Sequence, residues 1–179
     1  MNTIRFNEEV LYATDDVVKV DANDIEELKQ KARQNPRRRI RICVHKDLDN
    51  SIHEMLIVHE KSCYVRPHKH IKKTESFHII EGSVNIILYE KDGQINETIE
   101  MGAYSTGQKF FYRLPPSHYH TLLIESDVLV FHEITNGPFR PEDTVWAPWA
   151  PEETDKNEVT HYMKMLTYSV KEKSRNEKK

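Results

Sequence analysis

The chain has 179 residues, 37% of them hydrophobic and 31% charged, with a formal net charge of −3. That length suits one domain around a single core, and the near-balanced charge gives no global attraction to nucleic acid or acidic lipid. No apolar run approaches the roughly 20 residues that cross a bilayer, and the acidic start MNTIRFNEEVLYATDD lacks the apolar stretch of a signal peptide, so a cytoplasmic location is expected. Cys43 and Cys63, the two cysteines, are then expected as free thiols.

Residues 1–36 read as an N-terminal extension. Residues 1–20 alternate weakly and suggest an added edge strand. NDIEELKQKARQNP is the one helical pattern. Asn23 with Glu26 three residues on has the form of a capping box, Ile25, Leu28 and Ala32 share a face, and Pro36 forbids continuation.

Residues 37–137 change character. RIRICVH, HEMLIVHE, SFHIIEG, VNIILYE, FFYRL, YHTLLIES and VLVFHEI are short β-rich runs, several of them separated by turn signals such as KDG at Lys91–Gly93 and LPPS at Leu114–Ser117. Many short strands without intervening helices predict an all-β sandwich or small barrel. From residue 138 to 179 the chain is expected as a Pro- and Trp-rich strap, GPFRPEDTVWAPWAPEE, followed by a solvated tail ending KEKSRNEKK.

RRRIRICVH is the first stretch with chemical content. As a strand it puts Arg39, Arg41, Cys43 and His45 on one face and Ile40, Ile42 and Val44 on the other. Guanidinium groups suit bidentate binding of phosphate or carboxylate, and Arg66, Lys72 and Lys73 add positive charge nearby. The alternative is a solvated basic edge strand, where charge discourages aggregation. HEMLIVH resembles a zinc-binding HExxH helix only on its surface: His53 and His59 are six apart among strand formers. His53 and Met55 share one strand face, from which His53 can reach a pocket. Arg41, His45, His53 and Arg66 are therefore the candidate ligand-binding residues.

PHKHIKKTESFHIIEG, Pro67–Gly82, is the second. His68 and His70 are two apart, so a strand points both inward, and the polar IKKT turn brings Glu75 back at the start of the next strand. LPPSHYHTLL supplies His120 at the opening of a further apolar run. Three imidazoles and one carboxylate suit a divalent first-row transition metal, with iron, manganese, nickel and zinc all compatible. His78 has the opposite parity to Glu75 and faces away, and His118 sits in the turn.

The order His68-x-His70, four residues, Glu75, six residues, Gly82, and later Pro115-x-Ser117-x-x-His120 resembles the two signature motifs of the cupin superfamily. That resemblance implies a double-stranded β-helix, a small β-barrel or jelly roll, with a metal held by His68, His70, Glu75 and His120. Ser62 and Ser117 stand where the motifs usually carry glycine, and Ile124 where an asparagine is usual. Most of residues 37–153, including the Arg-Pro-His-x-His core, Glu-Ser-Phe, Gly-Pro-Phe and Trp-Ala-Pro elements, is similar to cupin-fold metalloproteins of the WbuC type. This bacterial family is named from a gene of O-antigen clusters, which implies a sugar-modifying role.

Three functions stay open, the first taking its sugar from what the resemblance implies. One is a metal-dependent enzyme, an isomerase or epimerase acting on an activated sugar such as a sugar phosphate or nucleotide sugar. Another is an Fe(II)-dependent dioxygenase on a small molecule. The third is a non-catalytic cupin that binds a sugar or metabolite. No residue is assignable as a catalytic base. A small-molecule ligand, with neither nucleic acid nor membrane, is the expected partner, and the N-terminal edge strand leaves room for a homodimer.

Overall fold

Period-two alternation and fully apolar runs divide the strands by the number of faces each one buries. The computed structural model describes residues 1–177. In chain order these form β1 (Thr3–Arg5), β2 (Val10–Ala13), α1 (Ala22–Gln34), β3 (Arg39–Cys43), β4 (Ile52–Glu60), β5 (His68–His70), β6 (Glu75–Glu81) and β7 (Ser83–Tyr89). There follow β8 (Ile95–Gly102), β9 (Phe111–Leu114), β10 (Tyr119–Ile124), β11 (Val128–Asn136), β12 (Thr144–Trp146) and α2 (Lys156–Glu177).

One sheet has the order β1-β2-β3-β4-β11-β6-β9 and the other β12-β5-β10-β7-β8. The central strands β4-β11-β6-β9 and β5-β10-β7-β8 are the two halves of a jelly roll, because the chain crosses between sheets at nearly every connection from β4 to β11. This is the double-stranded β-helix expected from the sequence. β1, β2 and β3 widen one sheet and β12 widens the other. Every pairing is antiparallel except β2 with β3.

The core lies between the sheets. Phe77, Ile79, Ile86, Leu122, Leu129 and Phe131 are buried there. α1 covers part of the outer face of the wider sheet, packing Leu28 and Ala32 on Ile40, Ile42, Val58 and Val130. α2 covers the narrower sheet, packing Leu166 and Val170 on Ile87, Tyr89 and Leu123. Burial on both faces explains why β7 and β10 read as nearly unbroken apolar runs. Gly82 closes the β6–β7 turn at φ +86°, and a Cβ there would sit 2.2 Å from the Val128 carbonyl oxygen.

Two expectations need correction. The helix cap is Asp21 rather than Asn23: its carboxylate accepts from the Asn23 and Asp24 amides at 2.8 and 3.1 Å, and Asp24 returns a bond to the Asp21 amide at 3.0 Å. The box is the expected one moved two residues back, with Asp24 in place of a longer Glu. The tail is not solvated coil over its described length, because α2 occupies Lys156–Glu177; residues 178–179 lie outside the described residues. Tyr162, Met163, Leu166 and Val170 form a narrow apolar stripe that a high density of charge obscures. β8 has no counterpart among the apolar runs, since INETIE is polar and mostly outside the core. Between residues 138 and 151 the chain adds β12 beside β5 at the edge of the narrower sheet. Both cysteines are buried and unpaired. No described helix is long and apolar enough to cross a membrane.

Candidate metal centre

Alternation on β5 turns His68 and His70 inward, and β10 brings His120 into register with His68. Ligand atoms of the three imidazoles lie within 4.8 Å of one another. Glu75 opens β6 on the facing sheet and is 3% exposed. Its Oε1 is 3.0 Å from His120 Nε2 and its Oε2 3.5 Å from His70 Nε2. Two donors each about 2.1 Å from one ion and at right angles would lie about 3 Å apart, so these separations suit a shared cation. The structure thus brings together all four residues expected as ligands.

The rings are aimed by their other nitrogens. His68 Nδ1 donates to the Arg66 carbonyl at 2.8 Å and His120 Nδ1 to the His118 carbonyl at 3.0 Å. A carbonyl only accepts, so each Nδ1 carries hydrogen and Nε2 is left to face the centre. His70 Nδ1 lies 3.2 Å from Thr144 Oγ1 on β12. The turn before β10 holds Ser117 at φ 73°, a left-handed conformation at the position where the cupin motif usually has glycine. Serine here holds a backbone conformation that glycine reaches at less cost.

Electrostatics favour a cation at this point. Burial alone would push the Glu75 carboxyl up, but the His120 charge and hydrogen bonds from His120, His70 and Tyr112 hold it well below the usual carboxylate range. Burial and the neighbouring His120 push His68 down to about 3. Burial would also lower His120, yet the Glu75 carboxylate reverses it and raises the imidazole. The Tyr112 hydroxyl donates to Glu75 Oε1 at 2.6 Å, and burial beside that carboxylate keeps the phenol protonated as a donor.

The anchored Nδ1 atoms, the inward Nε2 atoms and a buried carboxylate form a donor set that fits a divalent metal ion. Trp146, in register with His68 and 49% exposed, borders the centre with its ring centroid 5.5 Å from that of His68.

The four candidate ligand-binding residues are dispersed. Arg41 is on the inward face of β3, exposed, and without an ion pair among the described residues. Its neighbours Arg37 and Arg39 are instead tied to Glu9 and Glu153. Arg66 lies over the Trp146 ring at 5.6 Å and 3.8 Å from Glu152. His45 and His53 are buried and stacked on one another, centroids 4.1 Å apart and planes 14° apart. His78 is exposed on the outer face and His118 is exposed in the turn.

Two residues near the centre, Tyr112 and Glu133, have no role in the sequence reading, and Lys73 has one there only as nearby positive charge. Glu133 follows Phe131 by two on β11 and so faces inward, one inward position from Thr135, which pairs with Glu75. Burial, then the Glu75 charge, pushes its carboxyl up to about 8 against the pull of Arg41, His120 and Lys73. Its inward parity within VLVFHEI, an acid in a run otherwise apolar on that face, was the available signal.

A sequence profile described as a domain of unknown function (DUF6016) matches residues 20–101, which include α1, His68, His70 and Glu75 but not His120. No curated protein matches the chain. Among solved structures, a Shewanella oneidensis protein is similar at 10% identity over 57% of this chain and 66% of its own, with a TM-score of 0.47. A Klebsiella pneumoniae protein with a double-stranded β-helix domain is similar at 12% identity over 61% of this chain and 79% of its own, TM-score 0.47. Bacillus subtilis oxalate decarboxylase, described with Mn(II) centres, is similar at 21% identity and TM-score 0.44 over 54% of this chain. The chain spans 24% of the length of that enzyme.

Proposed function

We propose that this chain is a metal-binding cupin acting in the cytoplasm as a metal-dependent enzyme on an activated sugar, an isomerase or epimerase of bacterial surface-polysaccharide synthesis. The observation that carries the metal part is the convergence of His68, His70 and His120 on the buried Glu75 carboxylate, with Nδ1 of His68 and His120 held by carbonyls. The sugar part is supported by the resemblance of residues 37–153 to the WbuC type and by the unpaired inward guanidinium of Arg41.

His68, His70, Glu75 and His120 would hold the ion, which when bound supplies Lewis acidity toward a carbonyl or hydroxyl oxygen. The remaining work belongs to the chain. Tyr112 fixes one carboxylate oxygen of Glu75, and Thr144 fixes the ring of His70. Arg41 offers a planar pair of donors to an anionic group, and Arg66, laid on Trp146, offers another at the rim. His45 and His53 line the wider sheet behind them.

Elemental analysis tests the metal. Protein purified without added metal should carry close to one first-row ion per chain, and a His68→Ala/His120→Ala variant should carry none. Equal content in the two rules the site out. Incubation of the loaded wild type with a panel of nucleotide sugars and sugar phosphates tests the reaction, and an isomerised or epimerised product is expected. If the panel is inert and Fe(II)-dependent oxygen uptake appears instead, the same four ligands serve a dioxygenase.

A further inference from the structure

α2 packs one side on the narrower sheet, through Tyr162, Met163, Leu166 and Val170, and turns the other to solvent. Glu158, His161, Met165, Tyr168, Glu172 and Arg175 lie on that other side, and all six are exposed. Alternating steps of three and four residues make them a heptad stripe, about 25 Å long at about 1.5 Å per residue. Its centre is apolar, with Met165 51% and Tyr168 59% exposed. Two exposed apolar residues call for no partner by themselves. The order of the six side chains does.

Turned end for end, the stripe is its own complement: Glu158 falls opposite Arg175, His161 opposite Glu172 and Met165 opposite Tyr168. A carboxylate meets a guanidinium, an imidazole a carboxylate, and a thioether an aromatic ring. A second copy related by a two-fold axis between Met165 and Tyr168 makes each pair twice. Laid parallel, the same stripe would set Glu158 on Glu158, Glu172 on Glu172 and Arg175 on Arg175, and like charges would oppose it. An open groove of about 680 Å³ lies beside the N-terminal half of the stripe, lined by Trp149, Glu152 and Asp155 together with Glu158, His161 and Met165. The antiparallel order brings Arg175 of the second copy to this end, where three carboxylates favour it.

We propose that α2 pairs antiparallel with α2 of a second copy along this stripe, forming a two-fold dimer with each barrel on the outer side of the helix pair. The contact lies at the C-terminal helix, away from the N-terminal edge strand. Six side chains from each copy cover less than the ~800 Å² a side of a standard interface. Lys164 and Lys171 flank the stripe, each one residue before a stripe position, and the pairing sets Lys164 towards Lys171 of the second copy. The dimer is therefore weak, with Kd in the micromolar range, and weaker in salt.

Sedimentation equilibrium of the full-length protein across the micromolar range, at low and high salt, tests the pairing. The wild type should show a reversible monomer–dimer equilibrium that salt shifts towards monomer. Glu158→Arg and Arg175→Glu should each weaken the dimer by about ten-fold, since each sets two like-charge pairs in place of two ion pairs. Combined in one chain, the two substitutions should restore it, because each exchanged residue again meets its opposite. Lys164→Glu should tighten it by replacing the repulsion with Lys171. All of these positions are exposed, so the variants keep the fold, which circular dichroism checks. A monomer at every concentration, a dimer indifferent to Glu158→Arg and Arg175→Glu, or a double variant as weak as either single one overturns the proposal.

Discussion

Two groups of histidines sit in the same barrel and differ in what their ring nitrogens are given. In the group His68, His70 and His120, the outer nitrogens are occupied by carbonyls or a hydroxyl and the inner ones meet a carboxylate. In the pair His45 and His53, the rings stack face to face and no carboxylate joins them. His45 Nδ1 is engaged with the backbone of Glu54, and His53 Nε2 is buried with no partner. Burial lowers the pKa of both members of the pair. Histidine inside a barrel is therefore not itself a metal signal. Anchored Nδ1 atoms and a shared anion separate a ligand set from packing.

The largest expected contrast comes from removing one histidine of each kind. His120→Leu should abolish metal binding and leave Glu75 buried without its main counter-charge, lowering stability by about 3–5 kcal/mol. His53→Leu removes a buried nitrogen that has no partner, so it should keep full metal content and change stability by no more than about 1 kcal/mol. Metal analysis and urea denaturation of the two variants measure the difference, and equal losses in both would erase the distinction.

How much of this could be read beforehand follows the same line. The ligands lie at spacings that strand parity and one turn convert directly into convergence, so His68, His70, Glu75 and His120 were legible without coordinates. So was the facing of β3, where Ile40 and Ile42 pack under α1 and Arg41 turns inward. Tyr112 was not, because its contact with Glu75 spans 37 residues and depends on the pairing of β6 with β9. α2 was hidden for a different reason: four apolar residues at helical spacing suffice when a sheet face is waiting for them, and composition averages them away.

His59 sharpens the comparison as a buried histidine outside both groups. It packs edge-on against Phe131, its Nδ1 has no partner, and burial with the nearby Arg39 and Arg41 charges pushes its pKa down to about 3. The unfolded chain binds this proton near pH 6.5 and the folded one does not until about pH 3. Its contribution is thus full above pH 6.5 and is lost as pH falls toward 3, at up to about 1.4 kcal/mol per pH unit. Between pH 6.5 and pH 4.5, His59→Phe should narrow the acid loss by roughly 2 kcal/mol relative to wild type. Parallel stability curves for the two proteins over that range would show that His59 does not titrate on unfolding.

The smallest expected effect probes whether the anchors matter as much as the ligands. Tyr112→Phe leaves all four donor side chains in place and removes only the 2.6 Å hydrogen bond to Glu75 Oε1. The ring still packs against Phe77, 5.0 Å between centroids, so the fold should survive with little change in melting temperature. The carboxylate loses its fixed orientation and one of the bonds that keep it ionised. Outer partners of this kind are typically worth 10- to 100-fold in metal affinity, so competition with a chromophoric chelator should find zinc held about that much more weakly. Should affinity be unchanged, the three anchored imidazoles alone hold the ion, and Glu75 serves to balance its charge.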